Sequence, residues 1–292
     1  MSIEPLKALE YKISSQLVDI DDALLQIGVA TRDLTTLARK GMLSPIVGRQ
    51  KELTWLCRRL LCRYKPNAFI VGPSGVGKTA LIEGLAMYAT SSDQPTLNQL
   101  RFIEINAGSL MAGTAYRGDL EKKVLQLLEL VQEHPTIVLF IDEAHVLAMT
   151  GDIRGGGIDV MNLLKPHLTS GALHCLLATT VNEFQHLASD EAFGRRFAML
   201  TLQNLTCNEQ QAAVALRARQ LEKYHGMTVD AKVLQHVQNT LLMIPQGLDR
   251  SLDFLDELCA EAFLSGQRSV TLNLMEKLIL QSNEQQEDIY GN

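Results

Sequence analysis

The run Gly72-Pro73-Ser74-Gly75-Val76-Gly77-Lys78-Thr79 carries the clearest chemistry in this 292-residue chain. It follows an apolar stretch, Ala68-Phe69-Ile70-Val71, and leads into a helical pattern that begins at Ala80. A strand, a glycine-rich turn and a helix start, in that order, point successive backbone N–H groups and the positive end of a helix dipole at one small volume. Lys78 adds a full charge for β- and γ-phosphates, and the Thr79 hydroxyl can ligate a Mg²⁺ ion that neutralises the rest. A glycine-rich turn that merely precedes a helix would share the glycines but not Lys and Thr at this spacing. Residues Gly72 to Ala80 are therefore expected to bind ATP or GTP.

Asp142 and Glu143 follow the fully apolar run Ile137-Val138-Leu139-Phe140-Ile141. Such a strand delivers two adjacent carboxylates to the carboxyl edge of a sheet, where open α/β folds bind ligands. Their expected roles differ. Asp142 stands behind Mg²⁺, largely through water, and Glu143 orients and polarises the water that attacks the γ-phosphate. Alone, the pair reads equally as a solvated strand end; a phosphate loop upstream favours hydrolysis. Thr179 and Thr180 end another apolar run, His174-Cys175-Leu176-Leu177-Ala178, where a hydroxyl can touch the γ-phosphate or the attacking water. Arg195 and Arg196 lie beyond it. Arginine pairs ordinarily make surface ion pairs, but a guanidinium reaching a neighbouring subunit's phosphate also stabilises transition-state charge.

Stretches 68–71, 102–105, 137–141 and 174–178 read as strands spaced by helices, which predicts a parallel α/β sheet. Ahead of the phosphate loop, Pro45-Ile46-Val47-Gly48-Arg49 forms an apolar corner suited to an adenine, followed by a helix over 50–63. Leu6, Leu9, Ile13, Leu17, Ile20, Leu24 and Ile27 recur at steps of three and four, close to a coiled-coil seam. That seam either packs on its own domain or docks another protein. Gly41 and Ser44-Pro45 break it. From Asn208 the pattern is helical only. Ala212, Leu216 and Leu221 are expected on one buried side, then Val233, Val237 and Leu241, then Leu252, Leu255, Leu258 and Phe263, with a last helix over 272–281 and a frayed tail. The expected division is an N-terminal helical segment 1–42, a large α/β domain 43–205, a small α-helical domain 206–283 and a tail 284–292.

Hydrophobic residues make up 46% of the chain, enough for real cores, and no apolar run approaches the about 20 residues that span a bilayer. Neither a membrane anchor nor a secretion signal is expected at the N-terminus. The net charge of −6 gives no basic footprint for nucleic acid, and Arg58, Arg59, Arg63 and Lys65 read as the solvated side of a helix. The five cysteines are odd in number and scattered, which predicts reduced thiols in a cytosol.

Together these residues resemble an AAA+ ATPase, and more narrowly the first ATPase ring of Clp-type protein unfoldases. The resemblance runs from Leu43 to Leu280 and rests on Pro45-Ile46-Val47-Gly48-Arg49, GPSGVGKTALIEGLA, AGTAYRGDLEKKV, VLFIDEAH, NLLKPHLTSGALHCLLATT and GRRF. It implies ATP as the nucleotide and catalytic roles for Lys78 and Glu143. Thr180 becomes the γ-phosphate sensor, with Thr179 second. Arg195 and Arg196 become fingers reaching a neighbouring subunit of a homohexamer. Arg250 lies where the family's small domain has a nucleotide-contacting sensor. The resemblance also turns Ala115, Tyr116 and Arg117 into a pore loop that grips an extended polypeptide through the tyrosine ring. Ala115 stands where the family usually has lysine, which weakens the expected grip on acidic segments. Gly151 to Gly157 resembles a secondary pore loop.

The expected whole is one ring's machinery: no Clp-type globular domain ahead of it, no second ring behind it, and no recognisable peptidase-docking loop. It reads as an ATP-driven remodeller of a protein partner. The alternatives are an ATPase within a larger assembly such as a secretion apparatus, an ATP-gated DNA-associated adaptor or loader, and an assembly factor that binds ATP to form a ring.

Overall fold

The four apolar runs form strands at the centre of a six-stranded sheet. They are β2 (Asn67–Val71), β3 (Arg101–Asn106), β4 (Ile137–Asp142) and β5 (His174–Thr179). Two more strands were not legible in the sequence: β1 (Thr31–Asp33) and β6 (Phe197–Thr201). The order is β1-β3-β4-β5-β2-β6. All pairings are parallel as expected, except that β1 lies antiparallel on β3. The computed structural model describes residues 20, 22–112, 117–149, 163–164, 166–167, 173–188, 196–241 and 247–290.

Helices cover both faces of the sheet, which is why its strands are apolar without alternation. On one face Val71, Ile103, Ile105, Leu139, Ile141 and Leu177 pack with Leu120, Val124, Leu127 and Val131, the inward positions expected for α6 (Arg117–Glu133). Ile20 and Leu24 are buried in this same cluster, and Ile27 packs against it. The described part of the N-terminal seam thus follows the first of its two readings, while Leu25 on the opposite side is 77% exposed. On the other face Ala68, Ile70, Phe102, Val138, Phe140, Leu176 and Ala178 meet α1 (Leu34–Arg39), α2 (Gln50–Leu60) and α3 (Lys78–Thr90). Between β3 and β4, α5 (Ala107–Met111) precedes α6; α4 (Pro95–Asn98) is a short turn before β3. α7 (His145–Met149) follows β4 and α8 (Val181–Ala188) follows β5.

The chain divides into two compact units, Met1–Leu202 and Gln203–Asn292. The second contains α9 (Cys207–His225), α10 (Ala231–Leu241), α11 (Gly247–Leu264) and α12 (Leu272–Tyr290), with a two-stranded parallel ladder of β7 (Thr228–Val229) and β8 (Ser269–Val270). α9 begins with a capping box between Thr206 and Glu209 and ends at Gly226 in the left-handed conformation. Three expectations need correction here. Val214, Ala218 and Leu221 form the buried side of α9, and Ala212 is exposed. Phe263 is 60% exposed instead of inward; its ring packs on His225 with centroids 5.5 Å apart. The last helix does not stop near 281 but continues to Tyr290.

Candidate nucleotide site

The phosphate loop is fixed between two neighbouring strand ends. Gly72 N donates to Thr179 O at 3.3 Å, and Leu202 N donates to Val71 O at 2.8 Å. A Cβ at Gly72 would lie 3.0 Å from both Leu202 O and Val76 Cγ1, so any side chain there would force its neighbours to give way. Gly75 (φ 70°) and Gly77 (φ 90°) hold left-handed conformations that favour glycine. Gly77 caps α3 without a side-chain hydrogen bond, which leaves the first-turn N–H groups facing the loop interior for an anion.

Lys78 Nζ donates to Gly72 O at 3.1 Å and Pro73 O at 2.9 Å, folding the ammonium into the loop. Burial lowers its pKa, and the carboxylates of Asp142, Glu183 and Glu143 work against that fall. Thr79 Oγ1 donates to Asp142 Oδ2, and Asp142 Oδ1 accepts from Glu143 N at 2.9 Å. A hydroxyl and a carboxylate in direct contact, beside a polyphosphate cradle, are the hard oxygen donors that suit Mg²⁺. The residues present therefore fit the group.

Glu143 is exposed and sits at φ 51°, the only non-glycine with positive φ among the described residues. A side chain in the left-handed region is uncommon and concentrates at functional turns. The turn is pinned by Ala144 N donating to Ala178 O at 2.9 Å, which joins the end of β4 to the end of β5. Thr179 is buried and Thr180 partly exposed. Their hydroxyls both donate to Glu183 Oε2, at 3.2 and 2.7 Å.

At the adenine corner, Ile46 and Val47 are partly exposed, and Ile46 packs against the second core cluster. Its position depends on Gly84 in α3, where an added Cβ would come within 2.5 Å of Ile46 Cγ2. Arg49, quoted in the sequence only as part of a motif, is 5% exposed; its Nη2 donates to Val76 O at 2.9 Å and its Nη1 meets Glu52 at 3.2 Å. It thereby ties the base corner to the phosphate loop.

The structure thus gathers Gly72 through Ala80, Asp142, Glu143, Thr179 and Thr180 at the carboxyl edge of β2, β4 and β5, three strands adjacent in the sheet. Arg196 is partly buried just before β6. Arg250 is exposed on α11 in the second unit. Arg117 begins α6, while Ala115, Tyr116, Arg195 and residues 151–157 lie outside the described residues. Sequence reasoning missed Arg49, His145 and Glu183 as members of the site. A usable signal existed for the last, since Thr180 and Glu183 have the Thr-x-x-Glu spacing of a helix cap.

Residues 68–204 match the ATPase family associated with various cellular activities (AAA), a span running from β2 past the end of β6. The chain carries an AAA+ ATPase domain, a domain that binds nucleotide. More narrowly, the domain is of the Clp type. Heat shock protein 104 of Schizosaccharomyces pombe is 36% identical over 256 residues, covering 85% of this chain and 28% of that protein. Chaperone protein ClpB of Rickettsia bellii is 38% identical over 248 residues, covering 82% of this chain and 28% of its own length. Among solved structures, the Saccharomyces cerevisiae Hsp104:casein complex in its extended conformation superposes with a TM-score of 0.73 at 30% identity, over 85% of this chain and 43% of that one. The Hsp104–ADP complex of the same yeast gives 0.73 at 32% identity, over 82% of this chain and 42% of that one. The chain spans 28% of the length of these curated relatives.

Proposed function

We propose that this chain is an ATP-hydrolysing subunit of a homohexameric ring that grips a polypeptide in its central pore and remodels it by threading. The observation that carries the reading is the convergence of the phosphate loop, the Thr79–Asp142 pair, the lifted Glu143 and the Thr179–Thr180 hydroxyls on three adjacent strand ends. Lys78 and the α3 N–H groups hold the phosphates, Thr79 and Asp142 hold Mg²⁺, and Ile46 and Val47 flank the base. Mg²⁺ supplies charge neutralisation at the phosphates when bound. Glu143 orients water against the γ-phosphate and accepts its proton, while Thr180 reports that phosphate's presence. Arg195 and Arg196 complete the site from a neighbouring subunit, and Arg250 keeps the sensor role that the family resemblance gives it. Tyr116, between Ala115 and Arg117, holds substrate backbone.

The polypeptide substrate is supported by the similarity to a heat shock protein solved with casein. Five free cysteines accord with a cytosolic location, and no helix among the described residues is long and apolar enough to cross a membrane. Because Ile20, Leu24 and Ile27 belong to the domain's own core, a docking partner for the N-terminal helix would use other positions.

The test is Glu143→Gln purified with ATP. Expected are loss of turnover, retained nucleotide binding and a trapped polypeptide identified by mass spectrometry. Turnover at the wild-type rate would remove the catalytic assignment. Remodelling of the trapped partner by Tyr116→Ala at the wild-type rate would remove the threading assignment.

A further inference from the structure

Glu183 has more partners than a helix cap requires. Thr180-Val181-Asn182-Glu183 is a capping box for α8: the Glu183 carboxylate accepts from Thr180 N at 3.0 Å, and Glu183 N donates to Thr180 Oγ1 at 3.4 Å. The same oxygen, Oε2, has three further neighbours. Thr180 Oγ1 donates to it at 2.7 Å, Thr179 Oγ1 donates at 3.2 Å, and His145 Nδ1 lies 3.1 Å away. His145 opens α7 just after the Glu143 turn, and its Nδ1 is buried and off the alignment of a hydrogen bond. That contact is an ion pair when the imidazole is protonated, and it depends on the carboxylate's charge. Burial opposes ionisation of Glu183, but the Thr180 hydroxyl and N–H, His145 and the Thr179 hydroxyl more than offset it and hold the carboxyl below its ordinary range. The charge also reaches Lys78 in the phosphate loop.

We infer that Glu183 is a positioning residue for ATP hydrolysis: through one carboxylate oxygen it locks the Thr179–Thr180 end of β5 to His145, and so to the Glu143 turn. This rests on the ATPase reading above. Thr180 is expected to turn its hydroxyl toward a phosphate, and the four-fold contact explains how it can. When that hydroxyl leaves, the backbone N–H, Thr179 and His145 still hold Glu183, so the partly exposed carboxylate keeps its partners. The sensor can then switch partners while the strand ends stay aligned.

A cap and a positioning charge respond differently to one substitution. Glutamine serves in a capping box as glutamate does, but it carries no charge. Glu183→Gln is therefore expected to keep the thermal midpoint within ~2 °C of wild type and KM for ATP within about twofold, while kcat falls about tenfold or more. His145→Asn should lower kcat in the same direction, and the double variant should be no slower than Glu183→Gln alone, because both remove one link. Wild-type kcat in Glu183→Gln would overturn the inference, as would a kcat loss matched by a large drop in thermal midpoint, which would make Glu183 a cap only. Wild-type protein and Glu143→Gln run in the same assay separate the two failures. If the wild type turns over ATP, Glu143→Gln does not and Glu183→Gln is unimpaired, this inference alone falls. If the wild type has no turnover, the ATPase reading falls and takes this one with it.

Discussion

Gly84 has no reacting group, yet it decides where Ile46 sits. A methyl at that position would come within 2.5 Å of Ile46 Cγ2 and 3.2 Å of its Cβ; χ1 of this β-branched side chain is stiff, and no rotamer moves the Cβ. Gly84→Ala must therefore push the Ile46–Val47 corner away from α3. Overpacking of this kind costs about 1–3 kcal/mol, and part of that cost falls on the base-binding corner. Titration with a fluorescent ATP analogue should show affinity weakened about fivefold or more, together with a lower denaturation midpoint. Unchanged affinity would detach Ile46 from the nucleotide. The sequence made Ile46 legible through its motif and left Gly84 silent, since their contact joins a loop to a distant helix turn. The same limit applies to Arg49, whose partner Val76 lies across the fold, whereas Lys78, Thr79, Asp142 and Glu143 were readable because fixed spacing on one turn or one strand end is their whole geometry.

At the scale of elements, β1 is the least legible piece and one of the more firmly held. It spans Thr31–Asp33, too short for any periodic signal, and it adds to the sheet a part of the chain that the sequence assigns to the segment ahead of residue 43. Asp33 accounts for its hold. One carboxylate caps α1 through Thr36 N at 2.9 Å, accepts from Thr36 Oγ1 at 2.6 Å, and pairs with Arg101 Nε and Nη2 at 2.9 Å. The Arg101 side chain is 5% exposed, so Asp33→Ala would take an ion-pair partner from a buried guanidinium as well as remove a cap. A loss greater than the about 1 kcal/mol of a cap alone is expected in urea denaturation. A loss near the cap's figure alone would mean that the Asp33–Arg101 pair adds little to stability. β6 escaped for a different reason: of Phe197-Ala198-Met199-Leu200-Thr201 only Phe197 is buried, as on an edge strand, and the sequence ahead of it is rich in charge. In α9, alanines and arginines fall on every side of the helix, so its phase was set by packing and not by composition. Phe263 deceived the reading because its ring finds His225 at the surface instead of the core.

For the whole molecule, the division at Leu202 has a physical basis in the core of the second unit. Val214, Ala218, Leu221, Val233, Val237, Leu255, Leu258, Cys259, Val270 and Met275, all from the second unit, form one cluster. Leu255, Leu258 and Cys259 are fully buried within it, and burial pushes the Cys259 thiol up to about 11, so it behaves as a small apolar side chain. The unit also carries its own capped helix and its own β7–β8 ladder, which satisfy backbone groups of those segments locally. A fragment of residues 203–292 is accordingly expected to fold by itself, with a helical circular dichroism spectrum and a single cooperative urea transition. Domains of this size bury only about 60–65% of their unfolded surface and are marginal, so a single cavity should be decisive. Leu255→Ala removes a fully buried side chain at about 2–5 kcal/mol and should leave the fragment unfolded at 25 °C. In the full chain the same substitution should abolish or shift only one part of the unfolding curve, leaving the nucleotide domain's transition in place. If the fragment instead shows no cooperative transition, the third cluster is not an independent core and the two units stand or fall together.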